Sequence, residues 1–139
     1  MTTFFACWIA AASAAVPVAE VDAVRAALSV DDLAASRTAA TTLANDPAAD
    51  ATLVTPARAL AAATDLAAAR VAFADLSKAA ILGLDPKDKV HVYHCPMAPG
   101  YGYWFQQKAG LVNPFFGQAM ASCGEGVPLK AAQAAAGAK

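Results

Sequence analysis

The chain has 139 residues, a net charge of −1, a hydrophobic fraction of 58% and three cysteines. This length is enough for one hydrophobic core but not for two, and the near-neutral charge, without interleaved lysines and aromatic residues, argues against a nucleic-acid-binding role. Much of the hydrophobic fraction is alanine, the strongest helix former, so the composition indicates a mostly helical protein.

The first fourteen residues are typical of an export signal peptide. Residues 4–14 form an apolar run of suitable length, and residues 12–14 (Ala-Ser-Ala) provide a small-x-small cleavage site. No positive charge precedes the run, as expected if the start truncates a longer leader; a buried N-terminal helical turn is the alternative. The run is too short to span a bilayer permanently. Cleavage would remove Cys7 and leave Cys95 and Cys123 in a periplasmic or otherwise exported, oxidising environment.

The middle of the chain carries the start and stop signals of four helices. Ser29 begins a capping-box-like start, Thr55 precedes a proline at a first helical position, Asp65 can cap the longest helix, and Gly83 can end it. Together with the apolar spacing, these signals predict four helices: residues 18–28, 30–44, 57–63 and 66–82.

Short connections between these helices favour an up-and-down bundle. After Val90 aromatic residues, glycine and proline replace alanine. Residues 90–94 are predicted to be extended, residues 98–102 to form a loop, and Asn113 to start a short helix. We therefore predict an all-α fold with an irregular, aromatic and Gly/Pro-rich C-terminal cap.

These predictions divide the chain into three regions. Residues 1–14 are the predicted signal peptide and residues 15–128 a single helical metal-handling domain. Residues 129–139 are an alanine-rich tail, expected to be a frayed helix or disordered.

Two segments in the cap each place one cysteine close to one methionine. Cys95 and Met97 would share a face if the extended segment continues through them, and Met120 and Cys123 are neighbours if their segment is helical. Thiolate and thioether sulfurs together select soft ions, Cu(I) above all. The pattern therefore predicts a site of four sulfurs. His91 and His94 are possible auxiliary ligands.

The same cysteines support a different interpretation. Two cysteines in an exported domain often form a disulfide, and a Cys95–Cys123 bond would contribute roughly 3 kcal/mol in the chain-entropy model. Methionines near aromatic residues often only fill a core. No acid is placed to orient His94 against Cys95, which argues against cysteine catalysis and against an enzyme. Arg70 is interpreted as an ion-pair residue and Trp104 as part of the core.

The cap also resembles a known family. Its motifs are residues 93–97 (Tyr-His-Cys-Pro-Met), Trp104, residues 113–117 (Asn-Pro-Phe-Phe-Gly) and residues 120–125 (Met-Ala-Ser-Cys-Gly-Glu). They are similar to those of the domain of unknown function 3347 family, whose members are exported and also occur attached to copper/silver efflux adaptor proteins. The first motif is also similar to the Tyr-x-Cys-Pro-Met-His-Pro segment of heavy-metal-binding domains, with Ala98 in place of the histidine.

The resemblance implies a helical periplasmic domain that handles heavy metals. With the residues, it leads to the hypothesis of a Cu(I)- or Ag(I)-binding module that buffers metal or passes it to an efflux adaptor or metallochaperone. The predicted ligands are Cys95, Met97, Met120 and Cys123. The alternative is a disulfide-stapled structural or protein-interaction domain of the cell envelope that holds no metal.

Overall fold

A computed structural model describes residues 15–137. Four helices are followed by a small sheet, a short 3₁₀ helix and a last helix. The elements in chain order are α1 (Val18–Ser29), α2 (Leu33–Ala44), α3 (Ala51–Ala61), α4 (Leu66–Gly83), β1 (His91–His94), β2 (Tyr103–Gln106), the 3₁₀ helix (Gly117–Met120), β3 (Glu125–Gly126) and α5 (Leu129–Gly137). The predicted all-α class is therefore wrong, because a three-stranded antiparallel sheet makes the fold mixed α/β.

Aspartate side chains set the starts of three helices. Asp32, Asp50 and Asp65 each accept a hydrogen bond from a backbone N–H in the first turn of α2, α3 and α4. The predicted start of α2 is too early, because the Ser29 hydroxyl bonds to a carbonyl of its own helix and Asp31 has a φ of +59°.

The predicted start of α3 is too late, for a related reason. Asp50 accepts hydrogen bonds from both the amide and the hydroxyl of Thr52, so the first turn forms ahead of the proline. Pro56 consequently lies inside the helix rather than at its first position.

The helices pack in chain order, α1 on α2, α2 on α3 and α3 on α4, and α4 also contacts α1 and α2. Fully buried alanines, such as Ala40, Ala57, Ala69 and Ala80, allow these helices to approach closely. Larger side chains fill the space between them: Leu28, Leu43, Leu53, Leu60, Phe73, Leu76 and Ile81. Each such side chain stabilises the fold by about 1.5–3 kcal/mol when it leaves water.

The sheet has the strand order β2-β1-β3 and lies against α4. His94 at the end of β1 pairs with Tyr103 on one side and with Glu125 on the other. The Ser77 hydroxyl of α4 donates a 2.7 Å hydrogen bond to the Tyr103 carbonyl, which fixes β2 on the helix. Residues 90–94, which were predicted to be extended, contain β1.

The alanine-rich tail is ordered as α5 and packs on α4. Ala132 and Ala136 are buried, and the Gln133 amide donates hydrogen bonds to two carbonyls at the end of α4. The Tyr101 hydroxyl donates to the Ala132 carbonyl. These contacts contradict the expectation of a frayed or disordered tail for the residues up to Gly137.

The predicted signal peptide, residues 1–14, lies outside the described residues. Within residues 15–137, none of the helices combines the length and the apolar character that crossing a membrane requires.

Candidate metal site

The two cysteines of the cap lie side by side. Cys95 directly follows β1, and Cys123 lies two residues before β3. The β1–β3 register pairs His94 with Glu125, so the next antiparallel position sets Cys95 opposite Gly124, the chain neighbour of Cys123. The result is a distance of 3.4 Å between the Sγ atoms of Cys95 and Cys123, with a hydrogen bond between the thiols.

Two glycines make this approach possible. A Cβ at Gly102 would lie 2.5 Å from the Cys95 carbonyl oxygen, and one at Gly124 would lie 2.9 Å from the His94 carbonyl oxygen. Gly124 also has a φ of +137°, which side-chain-bearing residues rarely adopt. A side chain at either position would push the backbones around the cysteines apart.

Cys123 is carried by residues 113–123, which we call the cysteine loop. Asn113, fully buried, organises this loop: its Nδ2 donates a 2.8 Å hydrogen bond to the Cys123 carbonyl, and its Oδ1 accepts from the amides of Phe115 and Phe116. Its backbone amide donates to the Ala121 carbonyl. One side chain thus closes the loop from both ends.

An ion pair holds the cysteine loop against the helices. The Arg70 guanidinium of α4 donates to the Pro114 carbonyl at 2.9 Å and also binds Asp31 in the α1–α2 turn. Asp31 in turn accepts a hydrogen bond from the Gln118 amide. Arg70 first, and then Gln118, lower the pKa of the Asp31 carboxyl. Arg70 is therefore an ion-pair residue, as interpreted from the sequence.

Gly117 is required where this ion pair meets the loop. It has a φ of +57°, and a Cβ there would collide with Asp31 and lie 2.5 Å from the Arg70 Nη2 atom. A side chain would therefore separate the loop from its anchor.

The two thiols differ in their access to solvent. Cys95 is 0% exposed, whereas Cys123 is only half-buried. The hydrogen bond to Cys95, and after it burial, raises the pKa of the Cys123 thiol above its ordinary value. Cys123 therefore holds its proton more tightly than an isolated thiol would, and a bound metal must displace it.

We predict that Cys95→Ala lowers the pKa of Cys123. The substitution removes the hydrogen-bonding partner that raises this pKa, so more thiolate forms at a given pH and alkylation becomes faster. The measurement is the pH dependence of Cys123 alkylation, with Cys7 replaced by serine. Ser122→Ala, at an exposed neighbouring position, is the control and should leave the midpoint unchanged. A midpoint in Cys95→Ala equal to or above that of the parent would contradict the prediction.

The structure does not place the methionines symmetrically. Residues 96–97 form a turn closed by a hydrogen bond from the Ala98 amide to the Cys95 carbonyl, and Met97 is 63% exposed. The premise of an extended backbone through Met97 is therefore wrong. Met120 is half-buried and ends the 3₁₀ helix, where its carbonyl accepts a 3.1 Å hydrogen bond from the Cys123 amide. Met120 thus shares a turn with Cys123, although the predicted helix there is shorter than expected.

The histidines lie at the edge of the site. His94 stacks on Tyr103, with ring centroids 4.1 Å apart, and is half-buried. His91 is exposed at the far end of β1, three residues earlier. His91 and His94 therefore stay candidates for auxiliary metal ligands and no more.

Aromatic side chains form the floor beside the cysteines. Trp104 is fully buried, as interpreted from the sequence, and its ring lies 6.0 Å from Phe115 and 5.7 Å from Tyr93 between centroids. Its Cη2 atom lies within 3.2 Å of where a Cβ of Gly124 would be. Cys95 is buried in the same core cluster as Trp104 and Phe115, so its side of the thiol pair is shielded from water.

The sulfur separation decides what chemistry the pair can perform. With metal–sulfur bonds of about 2.3 Å, as in zinc thiolates, two ligands of a tetrahedral ion lie roughly 3.8 Å apart and those of a linear ion roughly 4.6 Å. The observed 3.4 Å is closer to the tetrahedral value. A disulfide needs about 2.05 Å. Small movements of the loop therefore lead either to a bent metal chelate or to a disulfide.

Carboxylates and imidazoles do not complete this pair. Within residues 15–137 no group of three or more His, Cys, Asp or Glu side chains is placed to hold a metal ion. A third ligand from these described residues would thus have to be a thioether or a side chain that moves.

Sequence reasoning did not identify Asn113 and Asp31 as residues of the site. Asn-Pro was interpreted as a helix start and as part of a family motif, although an asparagine that bonds amides two and three residues ahead is a common turn former. Asp31 was interpreted only as part of a helix cap. Its role depends on long-range contacts with Arg70 and Gln118, which no local pattern indicates.

Comparison with known proteins found no matching family model, curated protein or solved structure. The resemblance to the family of exported domains found with copper/silver efflux adaptors therefore stays a prediction based on the motifs of the cap.

Proposed function

We propose that this chain is a soft-metal-binding module that holds Cu(I) or Ag(I) between the thiolates of Cys95 and Cys123. The observation that carries the proposal is the 3.4 Å approach of these thiols, which come from two segments 28 residues apart. Thiolates are the ligands that soft ions prefer. The sheet register, the glycines and the cysteine loop all serve to bring the two sulfurs together.

Met120 is the proposed third ligand. A bent arrangement of two thiolates leaves room for a further donor, and Met120 shares a turn with Cys123. Met97 is exposed on the opposite segment and reaches the ion only if the turn after Cys95 rearranges. A site of two thiolates and one thioether suits Cu(I) and Ag(I) better than the harder divalent ions.

The half-buried position of Cys123 supports a role in transfer rather than permanent storage. A bound ion would have one shielded ligand and one accessible ligand, so a partner's sulfur could replace Cys123 before Cys95 is released. With the apolar leader-like run at residues 4–14, this suggests an exported protein that buffers metal or passes it to an efflux partner.

The second candidate function is a structural domain of the cell envelope, in which Cys95 and Cys123 form a disulfide. The same 3.4 Å distance favours it, since the sulfurs need to approach by only about 1.4 Å. In this case the disulfide would staple the cap, and the aromatic residues would stabilise it without any metal.

Titration of the reduced protein with Cu(I) against a competing Cu(I) chelator separates the two candidates. The metal module should retain one equivalent of Cu(I) with a defined affinity. A reduced protein that leaves all copper with the chelator, while protein isolated with trapped thiols carries a complete Cys95–Cys123 disulfide, would favour the structural domain.

A further inference from the structure

The two sulfurs of the pair are unequal in the access they offer to another molecule. Cys95 is 0% exposed, and its amide is fixed by a 2.9 Å hydrogen bond to the Gly102 carbonyl. Cys123 is half-buried, and its chain neighbours Ser122 and Gly124 are exposed. Thiol–disulfide exchange requires an incoming sulfur to reach the attacked sulfur directly. Of Cys95 and Cys123, it is Cys123 that offers such a path.

The side chain of Cys123 is also suited to a small movement, although its backbone is fixed. Arg70 binds the start of the cysteine loop at Pro114, and Asn113 binds its end at the Cys123 carbonyl. Ser122, Gly124 and Glu125 around it are exposed, so the Cys123 side chain has room to rotate about its Cα–Cβ bond. The Cys123 sulfur can therefore approach Cys95 by the roughly 1.4 Å that a disulfide requires while the backbone of the loop stays in place.

We propose that Cys95 and Cys123 form a thiol–disulfide gate on the metal site, in which Cys123 exchanges with a small thiol or disulfide and Cys95 is the resolving sulfur. The gating of metal rests on the proposed function. The exchange between sulfurs does not, since it follows from the distance and the exposure alone.

The chemistry of closure proceeds in two exchanges. The Cys123 thiolate attacks a small-molecule disulfide, forming a mixed disulfide and expelling one small thiolate. The Cys95 thiolate then attacks the Cys123 sulfur, forming the internal disulfide and expelling the second small thiolate. The protein loses two electrons and two protons, and the small disulfide becomes two thiols. Excess small thiol reverses both steps.

Closure removes the metal site because the thiolate is the form that binds metal. With both sulfurs in one covalent bond, the pair offers no thiolate, and Met120 alone is a weak ligand. Opening begins when a small thiolate attacks Cys123, and it ends with both thiols restored.

The test treats metal-free protein with oxidised glutathione and follows the products by mass spectrometry. All variants carry Cys7→Ser, because Cys7 lies outside the described residues and would also react. In Cys95→Ser, Cys123 should accumulate a mixed disulfide with glutathione. In Cys123→Ser, Cys95 should react at least roughly tenfold more slowly than Cys123 does in Cys95→Ser, because Cys95 is buried. The parent should end as the internal disulfide. Equal rates in the two variants, a faster reaction of Cys95, or a parent that stops at mixed disulfides would overturn the proposal.

A second arm adds Ag(I), which does not reduce disulfides, to the reduced and the oxidised parent. The gate predicts binding to the reduced form and its loss in the oxidised form, with recovery after reduction. Equal binding to both forms would overturn the gate but leave the metal module standing. If neither form binds Ag(I), the metal function and its gating both fail, while the glutathione experiment still decides the exchange at Cys123.

Discussion

Replacing both Cys95 and Cys123 by serine is expected to weaken Cu(I) binding by roughly a thousandfold or more, a loss of about 4 kcal/mol. A serine hydroxyl keeps the approximate shape of the side chain but is a hard, neutral donor that soft ions disfavour. The two single substitutions should each remove most of the affinity, since only one thiolate then remains beside the weaker thioether of Met120. Competition with a Cu(I) chelator measures all three variants.

The control for this result is Cys7→Ser, which removes a thiol distant in sequence from the pair. Its Cu(I) affinity should equal that of the parent. The far-ultraviolet circular dichroism of the double serine variant should also equal that of the parent, because α1 to α4 pack on one another without the cysteines. Unchanged Cu(I) affinity in the double variant would contradict the assignment of the ligands.

Trp104→Ala is expected to destabilise the protein by about 3–5 kcal/mol, the usual effect of removing a large buried aromatic side chain. Trp104 is 0% exposed and lies between the ring of Phe115 in the cysteine loop and that of Tyr93 in β1. Its indole N–H donates to Gln106, whose side chain also binds the amide of Val112. The cavity would therefore open where the sheet meets the loop that carries Cys123. Chemical denaturation followed by circular dichroism measures the free energy of unfolding.

Two control variants test whether the destabilisation comes from the loss of a large buried aromatic side chain. Trp104→Phe keeps most of the buried area and should lower the free energy of unfolding less than Trp104→Ala does. Val71→Ala on α4 changes a side chain that is 66% exposed, and its effect should stay within about 0.5 kcal/mol. A loss for Trp104→Ala no larger than that for Val71→Ala would show that Trp104 does not support the cap.

The helices could be predicted because their signals are local. Apolar spacing and the Asp65 cap place α4 within one residue of its observed end, and α1 is equally close. The starts of α2 and α3 were wrong because several polar residues compete there to cap a helix. Local patterns do not show that Asp32 and Asp50 win this competition. At the start of α2, Asp31 has a positive φ and binds the distant Arg70.

The sheet could not be predicted from such patterns. β2 is a run of aromatic residues ending in Gln106, which has strand propensity but no alternation, and β3 is only two residues long. These strands exist because β1 provides partners on both edges and α4 covers β2. This dependence on distant partners explains why the all-α prediction failed at the C-terminal third of the chain.

The approach of the two thiols could be predicted from the sequence, but the convergence of all four sulfurs could not. Cys95 and Cys123 are brought together, although by pairing of β1 with β3 rather than by a helix packed on an extended segment. Met97 was misplaced because the proline after Cys95 starts a turn instead of continuing the strand. The rule that residues two apart share a face applies only within a strand, and β1 ends at His94, before Cys95 and Met97.

Copper-edge X-ray absorption spectroscopy of the reduced protein, loaded with one equivalent of Cu(I), tests most directly whether the thiol pair holds a soft metal. We expect a first shell made only of sulfur, with at least two sulfurs at about 2.3 Å. This shell should disappear in the double serine variant. A first shell of nitrogen and oxygen in the parent protein, or copper that does not stay with the protein, would contradict the assignment of Cys95 and Cys123 as a metal site.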